Sequence, residues 1–321
     1  MAQKRLGVRS KDILSVGGLE FKDLNGNGKL DKYEDWRLPA AERAEDLIQQ
    51  LTLEEKAGFF VLVDKPMGIS VEDKELTAYD GVISEEEKWH EDRGYQEYPT
   101  SYILKDQHIR HIIVRENAEP SELATWVNTL QEIAEETRLG IPVITVSNSR
   151  NENTIAAYNA QDVESNFTAW PGPLGIAATQ RLDVAKELAA VGKEEWRAAN
   201  IRKGYMYMAD VVTDPRWFRI YEAFGENPQQ VGDIVYDLVK GFQGDNINEE
   251  SIALTVKHFP GGGARENGYD PHYEEGKYNV YPTANSLSKY HLPAFARVIE
   301  ANPSSIMPYY AIPSNEKSVT P

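Results

Sequence analysis

Between about residues 120 and 260, helical stripes of apolar residues alternate with short apolar runs, and this alternation restricts the chain to a parallel α/β architecture. Leu123, Trp126, Val127, Leu130, Ile133 and Ala134 recur at helical spacing. Gly140 and Pro142 then close that helix around the apolar run Ile141–Val146. A second stripe of Leu182, Ala185, Leu188, Ala189 and Trp196 precedes Tyr205–Val212, which reads as the next buried strand. In the third unit Asn227 is the expected N-cap and Pro228 the first helical residue. Val231, Ile234, Val235, Leu238 and Phe242 form its buried face, ahead of a strand over Ile252–Phe259. A last helix from about Ser288 to Glu300 leads into Ser305–Tyr310, and Ala311–Pro321 is polar and turn-rich.

Strand–helix repeats fold either as a doubly wound sheet or as a (β/α)8 TIM-type barrel. Polar residues suited to chemistry follow several different strands: Asn148 and Arg150, Asp214–Arg219, Lys257 and His258, and Tyr309 and Tyr310. That distribution fits a barrel, whose βα loops converge on one mouth. No G-x-G-x-x-G follows the first strand, so a dinucleotide site has no support. Five or six strands are legible where a barrel needs eight, so the expectation is a barrel incomplete in this chain, its last strands missing. The expected organisation is a leader over residues 1–45 and most of a barrel over 46–321, with a charged insertion at about 64–110.

Charge and composition narrow the partners. The 51 acidic residues outnumber the 34 basic ones and give a formal net charge of −17, which disfavours nucleic acid and anionic membranes and suits a neutral ligand. The chain has no cysteine, so disulfides and thiolate chemistry are excluded. No apolar run reaches membrane-spanning length.

The run Asp214-Pro-Arg-Trp-Phe-Arg-Ile-Tyr-Glu-Ala-Phe-Gly-Glu-Asn-Pro228 resembles the signature that family 3 glycoside hydrolases carry after a barrel strand. Lys257-His-Phe-Pro-Gly-Gly-Gly263 resembles that family's lysine–histidine pair, and Leu51-Thr-Leu-Glu-Glu-Lys56 its opening helix. Phe167-Thr-Ala-Trp-Pro171 and Ala177-Ala-Thr179 fit as well. The resemblance covers about residues 45 to 310. It implies a retaining, exo-acting β-glycosidase of the β-glucosidase type, with no catalytic cofactor and a small-molecule or oligosaccharide β-glycoside as substrate.

Gripping a ring of hydroxyls requires charged or bidentate hydrogen-bonding groups. By resemblance, Arg219, Lys257 and His258 contact the innermost sugar, and Tyr310 lies near the nucleophile. A structural ion pair with Glu222 or Glu226 is the competing role for Arg219. Many relatives carry an Asp where Asn148 stands here, which removes one charge-assisted contact. Arg150 either compensates or braces its own loop. Retaining hydrolysis needs two carboxyl groups about 5–5.5 Å apart. The resemblance sets the nucleophilic Asp beyond Pro321, so this chain alone is expected to be inactive, with a second chain supplying the rest; a homodimer is a further assembly. Asp270-Pro-His272 offers an alternative acid/base, because one branch of the family, the β-N-acetylglucosaminidases, uses an Asp–His pair near this point. Sugar binding or loop bracing is the other role for that pair. A sugar-binding barrel without catalysis is the third reading.

The leader carries a separate motif. Asp23-Leu-Asn-Gly-Asn-Gly-Lys-Leu-Asp-Lys-Tyr-Glu34 satisfies the EF-hand loop pattern D-x-[DN]-x-[DN]-G-x5-E. Asp23, Asn25, Asn27, Asp31 and Glu34 would supply side-chain oxygens and Lys29 its carbonyl to a structural Ca2+. Two neutral Asn ligands imply modest affinity, suited to a secreted or periplasmic setting. The aromatic and charged stretch Lys88–Tyr98 reads as a solvated insertion or a rim of the sugar site.

Overall fold

A computed structural model describes residues 2–65, 67, 100–115, 118–152 and 166–319. Its contacts group Met1–Glu116 with Ser121–Thr145, and Asn117–Pro120 with Val146–Pro321.

The first unit opens with a hairpin, β1 (Ile13–Val16) and β2 (Leu19–Lys22), paired antiparallel with Val16 opposite Leu19. Gly17 and Gly18 make the tight turn at φ +60° and +78°, a conformation that favours glycine at both positions. After the acidic loop come α1 (Ala40–Gln50) and α2 (Leu53–Phe59). The second begins at a capping box: Glu55 N donates to the Thr52 hydroxyl, and the Glu55 carboxylate accepts from Thr52 N. Next are β3 (Leu62–Asp64), α3 (Thr100–Lys105), β4 (His111–Ile113) and α4 (Pro120–Glu135), with β3 and β4 parallel. All six residues of the α4 stripe are buried. Tyr33, Leu51 and Leu139 form a core with Leu24, Leu47, Phe59 and Ile141 packed on it. Glu135, at the end of α4, fastens the leader by accepting from Arg9 N at 2.7 Å, Ser10 N at 2.9 Å and Lys22 Nζ at 2.9 Å. The leader residues thus belong to the same compact unit as α4.

The unit boundary falls within β5 (Ile144–Ser147). The second unit continues with α5 (Pro173–Ala178), α6 (Leu182–Ala198), β6 (Lys203–Gly204), α7 (Pro228–Gln243) and β7 (Ala253–Phe259). It ends with β8 (Tyr278–Asn279), α8 (Leu292–Ile299), β9 (Ser305–Pro308) and β10 (Ile312–Pro313). Strands β5, β6, β7 and β9 pair in that order, all parallel. Asn227 caps α7 as expected, its side chain accepting from Gln229 N and Gln230 N. The predicted α7 stripe is buried throughout, and Phe242 meets Trp196 of α6 edge-on with ring centroids 5.8 Å apart.

Four expectations change. No strand forms over Tyr205–Val212: the two-residue β6 ends before it at Gly204, and a single bridge between Met208 and Lys257 follows. The segment is buried at Met206, Tyr207 and Met208 and hydrogen-bonds to β7 around that bridge, through Lys257 N to Tyr207 O and Ala209 N to Lys257 O. Leu182 sits on the exposed start of α6 and lies outside its buried stripe. The helix predicted from Ser288 is π-helical over Leu287–His291 before α8, and the turn-rich tail contains β10, paired parallel with β8. Lys88–Tyr98 and most of the 64–110 insertion lie outside the described residues.

Candidate functional site

The second unit gathers most of the polar residues singled out above at the ends of β6 and β7. In the β7–β9 ladder Lys257 faces Met307 and Phe259 faces Pro308, so His258 is the extra residue of a bulge. A bulge interrupts the side-to-side alternation and re-aims a side chain. Here both Lys257 and His258 are buried. Lys257 donates to Tyr205 O at 2.8 Å and holds its ammonium 4.0 Å from the centre of the Tyr205 ring. His258 packs edge-on against Tyr309 with centroids 4.5 Å apart, and the Arg265 guanidinium lies 3.7 Å over the same tyrosine ring.

Asp210, fully buried, sits behind this group. It accepts from His258 N at 3.1 Å, from His258 Nδ1 at 2.9 Å and, through its other oxygen, from Gly262 N. Burial opposes its ionisation, but His258 and the N–H donors outweigh that penalty and hold its carboxyl below the ordinary range. His258 is pushed down to about 4, chiefly by burial and with Lys257 and Arg219 acting in the same sense, against the pull of Asp210. The loop after β7 passes flush against this wall at Gly263, where a Cβ would stand 1.8 Å from Val211 O, and folds back on itself at Gly276, where one would stand 1.9 Å from Asp270 O.

Arg219 is buried and gives two hydrogen bonds to Glu222, Nε to Oε1 at 2.9 Å and Nη2 to Oε2 at 2.6 Å. That is the ion pair weighed from the sequence as the competing role, and it commits this edge of the guanidinium. Asp270 accepts from His272 N at 2.8 Å and from His272 Nδ1 at 2.5 Å, and the His272 ring meets Tyr310 edge-on at 4.8 Å. The carboxyl of Asp270 is lowered: burial would raise it, and the two bonds from His272 prevail. Both His272 and Tyr310 are exposed, unlike the Asp210 group. Arg150 donates from Nε to Ser147 Oγ at 2.7 Å and stands 5.8 Å over Phe167, contacts within its own strand end and loop. Asn148 is half-buried just after β5.

Four residues escaped the sequence reading. Asp210 is an acid inside the apolar run Tyr205–Val212, which was a usable signal. Tyr309 was grouped with Tyr310 without its own role. Arg265 had no spacing to mark it. Glu152 is buried and pushed up to about 7 by that burial, against a hydrogen bond from Tyr207.

In the first unit the leader loop folds on itself. Asp23 accepts from Asn27 N at 3.0 Å and Gly28 N at 2.8 Å, Asp31 from the Asn25 and Asn27 amides at 2.6 and 2.8 Å, and Glu34 from Leu24 N at 2.7 Å. Gly28 turns at φ +74°. The donor set is all oxygen, which suits a hard cation. Among the described residues no three His, Cys, Asp or Glu side chains form a group that could hold a metal, so such an ion would also need the Asn oxygens and the Lys29 carbonyl.

Residues 72–318 match the model of the glycosyl hydrolase family 3 N-terminal domain. The chain belongs to that family. Among its relatives, a periplasmic β-glucosidase/β-xylosidase of Dickeya chrysanthemi is 35% identical over 98% of this chain and 45% of its own length. A probable β-glucosidase C of Aspergillus oryzae is 35% identical over 88% of the chain and 41% of its own length. This family 3 chain therefore spans less than half the length of these relatives. Of solved structures, a family 3 β-N-acetylglucosaminidase from Paenibacillus matches with a TM-score of 0.61 at 21% identity, over 82% of this chain and 42% of its own. A β-glucosidase from Listeria innocua matches at 0.59 and 23% identity, over 84% and 33%. The fold is that of an incomplete (β/α)8 barrel. No helix among the described residues is long and apolar enough to cross a membrane.

Proposed function

We propose that this chain forms the sugar-gripping part of a β-glycosidase acting on terminal β-linked glucose or xylose, with the remaining catalytic groups supplied by the portion its relatives possess and this chain does not span. The observation that carries the reading is the buried Asp210–His258–Lys257 group at the ends of β6 and β7, in a domain of family 3. Lys257 supplies a charged donor and His258 a ring nitrogen within a wall that excludes water, and such contacts are each worth about 1.5–3 kcal/mol toward a hydroxyl. The test is a glucose and xylose titration of the chain, followed by calorimetry, beside hydrolysis of 4-nitrophenyl β-D-glucoside. Saturable monosaccharide binding with no turnover fits the proposal. Turnover by this chain alone would remove the second part of it, and absence of binding the first.

A second reading, a β-N-acetylhexosaminidase, is favoured by the direct Asp270–His272 hydrogen bond, since a carboxylate-oriented imidazole is a competent proton carrier. Tighter binding of N-acetylglucosamine than of glucose would select it. The leader loop is assigned a structural Ca2+, held by Asp23, Asn25, Asn27, Asp31, Glu34 and the Lys29 carbonyl. A secreted or periplasmic location agrees with the periplasmic assignment of the Dickeya relative and with millimolar calcium outside the cell.

A further inference from the structure

We propose that Asp210 is a positioning residue that fixes His258 as the neutral Nδ1–H tautomer, so that Nε2 accepts a hydrogen bond from a sugar hydroxyl while Lys257 donates to one. This rests on the sugar-gripping role proposed above and adds which direction each hydrogen bond runs. The two ring nitrogens of a histidine are not equivalent, and the bond made by one sets the state of the other. A buried, ionised carboxylate can only accept, so Asp210 requires a proton on Nδ1, 2.9 Å away. It also accepts from His258 N, which fixes the bulge that carries the ring, and from Gly262 N, which ties the following loop to the same anchor. The edge contact with Tyr309, itself covered by Arg265, holds the ring plane. Lys257 and Arg219 act against a positive imidazolium here, which leaves the neutral ring as the working form.

The experiment is nitrogen NMR of the imidazoles in the 15N-labelled chain at pH 7, with the His258 signal assigned by its loss in His258→Gln. A protonated Nδ1 and an unprotonated Nε2 are expected. An Nε2–H tautomer or an imidazolium overturns the proposal, and this reading needs neither a variant of Asp210 nor a bound sugar. Asp210→Asn keeps the shape but can present an N–H to Nδ1; it is expected to move the proton to Nε2 and to weaken glucose binding about 10- to 100-fold. A loss of affinity with the tautomer unchanged would show bracing alone and sink the assignment. Failure of the parent chain to bind glucose would count against the proposed function while leaving the tautomer result standing.

Discussion

The leader loop and the Asp210 group are both knots of carboxylates and amides, yet they are built in opposite ways. In the loop the hydrogen bonds of the Asp23, Asn25, Asn27, Asp31 and Glu34 side chains join residues at most ten positions apart, within twelve consecutive residues. Asp210 instead reaches 48 residues to His258 and 52 to Gly262, joining the run after β6 to the end of β7. A local knot can form, open or exchange partners without disturbing its surroundings. A non-local one is part of the packing, and removing it strands donors that no water can reach.

Several measurements would break or sharpen that contrast. Asp210→Ala leaves the donors of His258 and Gly262 in a buried wall and is expected to cost about 3–5 kcal/mol in chemical unfolding. Asn27→Ala in the leader loop, without added calcium, is expected to cost well under about 1 kcal/mol; equal losses would erase the distinction. Calcium should reverse the order of sensitivity for the loop alone: at a hundred times its Kd it stabilises by about 2.7 kcal/mol, and Glu34→Gln should abolish that gain as followed by thermal unfolding. No calcium response in the parent chain would reject the ion.

Acid provides a third probe. His258 and His291 are each lowered to about 4, chiefly by burial, so the unfolded chain takes up protons that the folded chain refuses between about pH 6.5 and 4. Each therefore removes about 1.4 kcal/mol per pH unit as the pH falls through that window. Glu152 works in the other sense: raised to about 7, it favours the folded state at low pH and loses that contribution as the pH rises from about 4.5 to 7. His258→Gln should flatten the acid limb, and Glu152→Gln should steepen it. Asn227→Ala, finally, removes the two cap bonds of α7 and should cost about 1 kcal/mol.

The same contrast explains what could be read before any coordinates. The stripes of α4 and α7, the Asn227 cap and the spacing of the leader motif are short-range patterns, and the buried stripes and the cap appear where they were expected. Lys257 and His258 were legible because a family signature surrounds them. An acid inside an apolar run marks Asp210 as unusual, but nothing near it in the chain says that its partners lie some fifty residues on. The strand expected over Tyr205–Val212 failed for a related reason. Apolar content marks burial, whereas a ladder also needs a neighbour in register, and between the Gly204–Leu254 pair and the Met208–Lys257 bridge the segment advances four residues against three on β7.

The close backbone approaches at Gly263 and Gly276 also decide where this scaffold can be diversified. A Cβ would stand 1.8 Å from Val211 O at Gly263 and 1.9 Å from Asp270 O at Gly276, so neither position admits any other amino acid, and the segment is held at its start and clamped onto its own backbone at its end. Tyr269 and Tyr273 lie within that clamped span and are exposed. A combinatorial library restricted to these two outward positions would vary the chemistry beside Asp270 and His272 on a template whose ends stay put.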